Sequence, residues 1–183
     1  PAVVTYDIAS YQVAGTNNAN VLGGMSVSNA ANGVLALFTA SPAWTAPALP
    51  LAIGPNVFVV RGTNLHGAAS SDTVTITRGA PGTGSPFLDV TSTPATVTYD
   101  VARYAVAGTN NANIVGDMWV SNAASGQALS FAAAASWTTP LVDLAVGANT
   151  LVVHGTNLYG ATSTGSVVIT RGVPGTGIPF VNV

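Results

Sequence analysis

The chain repeats itself. Pro1-Ala2 realigns with Pro94-Ala95, and the alignment then runs without a gap to Val90 on Val183, with about three positions in five identical. Tyr6-Asp7, Gly15-Thr16-Asn17-Asn18-Ala19-Asn20 and Gly62-Thr63-Asn64-Leu65 return as Tyr99-Asp100, residues 108–113 and residues 155–158. A duplication of this length restricts the chain to two copies of one small domain. Two full periods would need three residues beyond the 183 present, matching Thr91-Ser92-Thr93, so the chain reads as a two-period window of a periodic object.

Within each copy the apolar period is 2. Val97, Tyr99 and Val101 alternate with Thr96, Thr98 and Asp100, and Val74 and Ile76 alternate with Thr73, Thr75 and Thr77. Tyr11 and Val13, and their counterparts Tyr104 and Val106, do the same. This is the signature of half-buried strands. Asn32-Gly33 and Ser125-Gly126 suit hairpins, and Gly54-Pro55-Asn56 and Gly147-Ala148-Asn149 read as turns between apolar runs. The weak helical spacing of the Ala-rich segment 128–135 is contradicted by Pro42 in the first copy. About seven short strands per copy predict an all-β fold of two tandem immunoglobulin-like β-sandwich domains. The expected division is repeat 1 over 1–79, lacking its own lead-in strand, and a Pro/Gly linker over 80–86. Repeat 2 then spans 87–172, and 173–183 supplies a linker plus a C-terminal strand for the next domain.

Composition removes several functions. Charged residues make up 5% of the chain, four Arg and six Asp with neither Lys nor Glu, for a net charge of -2. A nucleic-acid partner is not expected, because binding phosphates needs a positive surface. A spanning helix would need about 20 consecutive apolar residues, and none is present. Cysteine is absent, which excludes disulfides and thiolate metal sites. Without an Asn-x-Ser/Thr sequon, N-glycans are out, while the outward Thr ladders leave room for O-glycans.

The run Leu144-Ala145-Val146-Gly147-Ala148-Asn149-Thr150-Leu151-Val152-Val153-His154-Gly155-Thr156-Asn157, followed by Gly160 and Ser166-Val167-Val168-Ile169-Thr170-Arg171, resembles the C-terminal half of bacterial immunoglobulin-like repeats. The first copy carries it as Leu51-Ala52-Ile53-Gly54-Pro55-Asn56 and Val74-Thr75-Ile76-Thr77-Arg78. The resemblance implies a tandem β-sandwich in a large secreted or surface protein, hence an extracellular or cell-surface location. It names no ligand. Repeats of this type often carry acidic Ca²⁺ clusters between domains, for which this chain has too few carboxylates.

The duplication weighs the candidate sites, since a site essential to each domain should recur. His66 aligns with Tyr159 and His154 with Arg61, which predicts a solvated loop or strand-edge position for each rather than a metal or catalytic role. Asp7 and Asp100 recur, on the expected polar face of a strand. Asp72, Asp89, Asp117 and Asp143 align with Gly165, Asn182, Gly24 and Pro50, so no carboxylate pair is marked for hydrolysis. A weak Ca²⁺ site built on Asp100 or Asp89 with Asn oxygens is the one metal option. The Gly-Thr-Asn-Asn-Ala-Asn run lacks the Lys and helix of a phosphate loop and reads as turn scaffolding. No catalytic residue, cofactor site or metal site is expected, and the chain is not read as an enzyme. Trp44 and Trp137 read as core; Trp119, aligned with Ser26, should point outward as surface or as an interface anchor.

The remaining signal is the junction that occurs twice, at 77–90 and 170–183. Each copy closes a strand, crosses a Pro/Gly bend and opens an apolar segment. Phe87, Leu88 and Val90 lead into repeat 2. Phe180, Val181, Asn182 and Val183 carry the same alternation with no domain after them in the chain. The expected function is a structural repeat subunit of an extracellular filament or surface array. Its partner is itself, joined head to tail by strand addition to repeat 1 of the next unit. The other reading is an adhesin stalk or a carbohydrate-binding accessory module of a larger secreted protein.

Overall fold

A computed structural model describes residues 1–182. The chain forms two compact units, residues 1–80 and the residues from Pro81 onward. All regular structure among the described residues is β, in two immunoglobulin-like sandwiches. Unit 1 holds β1 (Ala2–Val4), β2 (Ser10–Tyr11), β3 (Ala14–Thr16), β4 (Gly24–Asn29), β5 (Leu35–Thr39), β6 (Ala43–Thr45), β7 (Leu49–Pro50), β8 (Gly54–Thr63) and β9 (Ala69–Arg78). Counting β2 with β3 and β6 with β7 as interrupted runs leaves the seven strands that turn spacing predicts.

One layer is a five-stranded sheet in the order β1-β9-β8-β4-β5, with β1 parallel to β9 and the other pairs antiparallel. The other layer consists of the antiparallel pairs β2-β7 and β3-β6. Met25, Val27, Phe58 and Ile76 from the large sheet meet Val13, Ala46, Leu49 and Leu51 from the small one. The strict alternation of β4 sends Met25 and Val27 inward and Ser26 and Ser28 outward. Each such apolar side chain contributes about 1.5–3 kcal/mol on burial.

Unit 2 repeats the plan with β11 (Ala95–Val97), β12 (Arg103–Tyr104), β13 (Ala107–Asn110), β14 (Asp117–Asn122), β15 (Gln127–Ala132), β16 (Ser136–Thr138), β17 (Val142–Asp143), β18 (Gly147–Thr156) and β19 (Thr162–Arg171). It adds β10 (Leu88–Val90) ahead of them. The order β11-β19-β18-β14-β15 copies unit 1, but the small layer now includes the three-stranded sheet β10-β13-β16.

Three local readings need correction. Gly54 does turn, but Pro55 and Asn56 lie in β8, and Asn56 is fully buried. Its amide nitrogen donates to the carbonyls of Ala52, Gly54 and Ile76, and its Oδ1 accepts from Asn29 Nδ2 at 2.9 Å and from Ala52 N at 2.8 Å. Asn149 and Asn122 repeat this network in unit 2. A side chain read as a turn residue is thus a buried pin between loop, β8 and β9, tolerated because its polar atoms are satisfied.

Tyr6-Asp7 and Tyr99-Asp100 lie in turns rather than on a strand, because β1 and β11 stop at Val4 and Val97. The turn is held by an arginine. Arg78 donates from Nε and Nη2 to the Tyr6 carbonyl and from Nη1 to the Leu51 carbonyl, with its guanidinium 4.8 Å from the Tyr6 ring centroid. Arg171 holds the second turn in the same way, donating from Nε to the Tyr99 carbonyl and from Nη1 to the Leu144 carbonyl, with its guanidinium over the Tyr99 ring. His154, finally, is no edge residue. It lies in β18, paired on both sides by β14 and β19, and stacks on Trp119 with ring centroids 5.1 Å apart.

Candidate functional site

The units differ most where unit 2 has β10. Leu88, Asp89 and Val90 pair antiparallel with Asn110, Thr109 and Gly108 of β13, and β10 also packs on β18 and β19. Leu88 is buried in the core. Its amide donates to Ser163 Oγ at 3.0 Å, while the Phe87 carbonyl accepts from Asn111 N at 3.0 Å. Gly108 is required at this crossing: a Cβ there would collide with the Asp89 carbonyl on one side and the Trp137 ring on the other.

Unit 1 carries the same surface with its outer edge unpaired. Among the described residues no strand joins β3 on the side away from β6. Beside that edge runs a groove of about 310 Å³ whose lining includes Val13, Gly15, Val21, Met25, Trp44, Val60, Ser70 and Val74. These align with Val106, Gly108, Ile114, Met118, Trp137, Val153, Ser163 and Val167, the surroundings of β10 in unit 2. The exposures agree. Val13 and Val60 are each 8% exposed where Val106 and Val153 are 0%, and Trp44 is half-buried where Trp137 is buried. Gly15, like Gly108, leaves the backbone of β3 open to close approach. Val21, Ser71 and Thr73 differ from their twins Ile114, Thr164 and Ser166 only conservatively, but Asp72 puts a carboxylate where unit 2 has Gly165.

The Pro/Gly bend before β10 is held as closely as the strand. Asn113 Oδ1 accepts from Gly82 N at 3.2 Å and Gly84 N at 3.1 Å, and its Nδ2 donates to the Ser85 carbonyl at 3.2 Å. Asn111 Nδ2 donates to the same carbonyl at 2.9 Å, and Asn157 Nδ2 donates to the Gly84 carbonyl at 2.9 Å. Leu158 N donates to the Gly82 carbonyl at 3.0 Å. The Asn-rich run was expected to scaffold its own turn, which it does through Asn111 Oδ1 and Asn113 N. Its hold on a bend some 25–30 residues upstream is not visible in local sequence.

The predicted assembly residues separate into three groups. Phe87, Leu88 and Val90 belong to the β10 seat just described. Phe180 and Val181 are 86% and 88% exposed, and Asn182 is also exposed, in a segment without regular structure; Val183 lies outside the described residues. Trp119 faces outward from β14 in the five-stranded sheet, against His154, and does not share the β10 seat. Among the described residues no group of three or more His, Cys, Asp or Glu could hold a metal. Asp100, a candidate Ca²⁺ ligand, accepts a hydrogen bond from Ile178 N at 2.7 Å. His66 lies exposed in the loop after β8. Arg103 and Asp143 form an exposed ion pair at 2.7 Å between β12 and β17, where unit 1 has Ser10 and Pro50.

No family model matches the chain, and no curated protein does. Solved structures do. The fibronectin(III)-like modules of Clostridium thermocellum CbhA match at TM-score 0.42 and 11% identity, over 100% of this chain and 95% of that one. A Ca²⁺-stabilized adhesin with which an Antarctic bacterium binds ice matches at 0.36 and 17%, over 92% of this chain and 46% of that one. DIP-gamma IG1+IG2 matches at 0.41 and 10%, over 94% of this chain and 93% of that one.

Proposed function

We propose that the chain is a structural subunit of an extracellular filament or surface array. Its segment 180–183 adds to β3 of unit 1 in the next copy, as β10 adds to β13 within unit 2. The observation that carries the reading is the match of the two seats. The groove beside β3 is lined by the counterparts of the residues around β10, and segment 180–183 is the counterpart of 87–90.

In the β10 register Val181 falls opposite Asn17 and Asn182 opposite Thr16. Val181 then faces the groove, and Ser70 stands ready for its amide. Strand addition of this kind supplies ladder hydrogen bonds and covers an apolar trough together. Because donor and acceptor are different surfaces of one chain, the contact is heterologous and repeats without limit unless it closes into a ring.

The test is electron microscopy and light scattering on the full chain beside a chain ending at Ile178. Assembly by the full chain and its loss in the shorter one is the expected result. Equal assembly by both would remove the segment from the contact. A same-type strand from a longer covalent array is the other source of a donor; a full chain that stays monomeric while binding an added peptide of residues 172–183 would point to it.

A further inference from the structure

The strand groove is half of the seat. We infer that Asn18, Asn20 and Asn64 of unit 1 form a second, polar cradle that binds the backbone of the bend at 175–178 from another copy. This rests on the head-to-tail reading above and assigns to it the residues that fix its register.

The receptor is present twice. Asn111, Asn113 and Asn157 hold the bend ahead of β10, and Asn18, Asn20 and Asn64 occupy the same places around a second hollow of unit 1, of about 220 Å³. Asn113 is buried beneath its bend, whereas Asn20 is exposed. In unit 1 the Asn64 Oδ1 accepts from His66 N and Ala68 N, as Asn157 Oδ1 does from Tyr159 N and Ala161 N. In unit 2 the Nδ2 of that asparagine is the group that reaches the bend.

The ligand is also present, already folded. Gly175 has φ +95°, as Gly82 has φ +90°, a left-handed conformation that glycine adopts without strain. Thr176 N donates to the Val173 carbonyl at 3.2 Å, closing the bend. Unit 2 holds it from one side: Asp100 Oδ2 accepts from Ile178 N, and Thr176 Oγ1 accepts from Tyr99 N at 3.0 Å. The groups that would face the cradle are others. By register with Gly82, Gly84 and Ser85 they are the amides of Gly175 and Gly177 and the carbonyls of Gly177 and Ile178. None of them is used by Asp100 or Tyr99 in the bonds just described. A bend fixed before it docks loses little conformational entropy on binding, which favours recognition of its backbone.

The experiment is the concentration dependence of assembly by the full chain and by Asn20→Ala, read by light scattering, with a thermal melt of each. The Asn20 side chain is exposed, so the melt should stay unchanged. Assembly should need at least about tenfold higher concentration, since buried amides and a carbonyl would lose their partner. Asn20→Asp, which keeps the accepting oxygen and loses the donor, should also weaken assembly without moving the melt. If the full chain assembles and both variants assemble equally well, the cradle falls and the strand contact stands. If the full chain does not assemble, the head-to-tail reading itself falls.

Discussion

Ser163 Oγ accepts a hydrogen bond from the amide of Leu88 at 3.0 Å, and Ser70 occupies the equivalent place on β9, exposed. The same serine thus serves a strand in one unit and is offered in the other.

That correspondence sets a register that cross-linking reads directly. Asp89 lies opposite Thr109, so Asn182 of one copy should lie opposite Thr16 of the next. Opposed Cα atoms in an antiparallel pair are about 4.5–5.5 Å apart, within reach of a disulfide. The chain has no cysteine of its own. A Thr16→Cys/Asn182→Cys chain oxidised under assembly conditions should run as a ladder of covalent multimers on a denaturing gel. A ladder from Thr16→Cys/Phe180→Cys of equal yield would contradict the register.

Size matching across the groove gives a second prediction. A Cβ at Gly165 would stand 2.9 Å from Leu88 Cδ1 and from Val90 Cγ2. Unit 1 has that Cβ, in Asp72, and the donor segment has the shorter Val181 in place of Leu88. Val181→Leu should therefore weaken assembly, and Asp72→Gly should restore it in the double variant. Independent effects of the two substitutions in a double-mutant cycle would separate them.

Leu88→Ala should lower the stability of unit 2 by about 2–5 kcal/mol, the range for truncating a buried leucine. Urea unfolding followed by Trp119 and Trp137 fluorescence measures it. No loss would mean that β10 adds nothing to the core it covers.

Asn149→Ala should cost unit 2 at least about 2 kcal/mol, because it strands Asn122 and the carbonyls of Ala145, Gly147 and Ile169. Asn149→Asp should be no gentler, since it removes the donors those carbonyls use. The melting temperatures of both variants provide the check.

Much of the fold was legible because its signals are local or duplicated. Alternation at Val74 and Ile76 marks β9, and the offset between 87–90 and 180–183 marks two segments of one kind. What escaped was set by distant partners. Asn56 looks like a turn residue until Asn29, Ile76 and the Ala52 loop close around it. Asn113 and Asn157 look like turn residues until a bend far upstream lies across them. Tyr99 continues an alternating pattern, but Arg171 draws its carbonyl into a turn and ends the strand. Each case pits a local propensity against a tertiary hydrogen bond, and the tertiary bond wins.

The parallel pairing of β11 with β19 has a mechanical side. Ala95, Thr96 and Val97 lie against Ile169, Thr170 and Arg171, so tension applied where β11 begins and where β19 ends pulls the two strands past each other lengthwise. The ladder is then loaded in shear: its hydrogen bonds share the force and must yield together, whereas a hairpin opened from its free ends unzips one bond at a time. Unit 1 has the same clamp in β1 and β9. Each sandwich is wired to carry a pull between its parallel pair, β1 and β9 in one unit and β11 and β19 in the other.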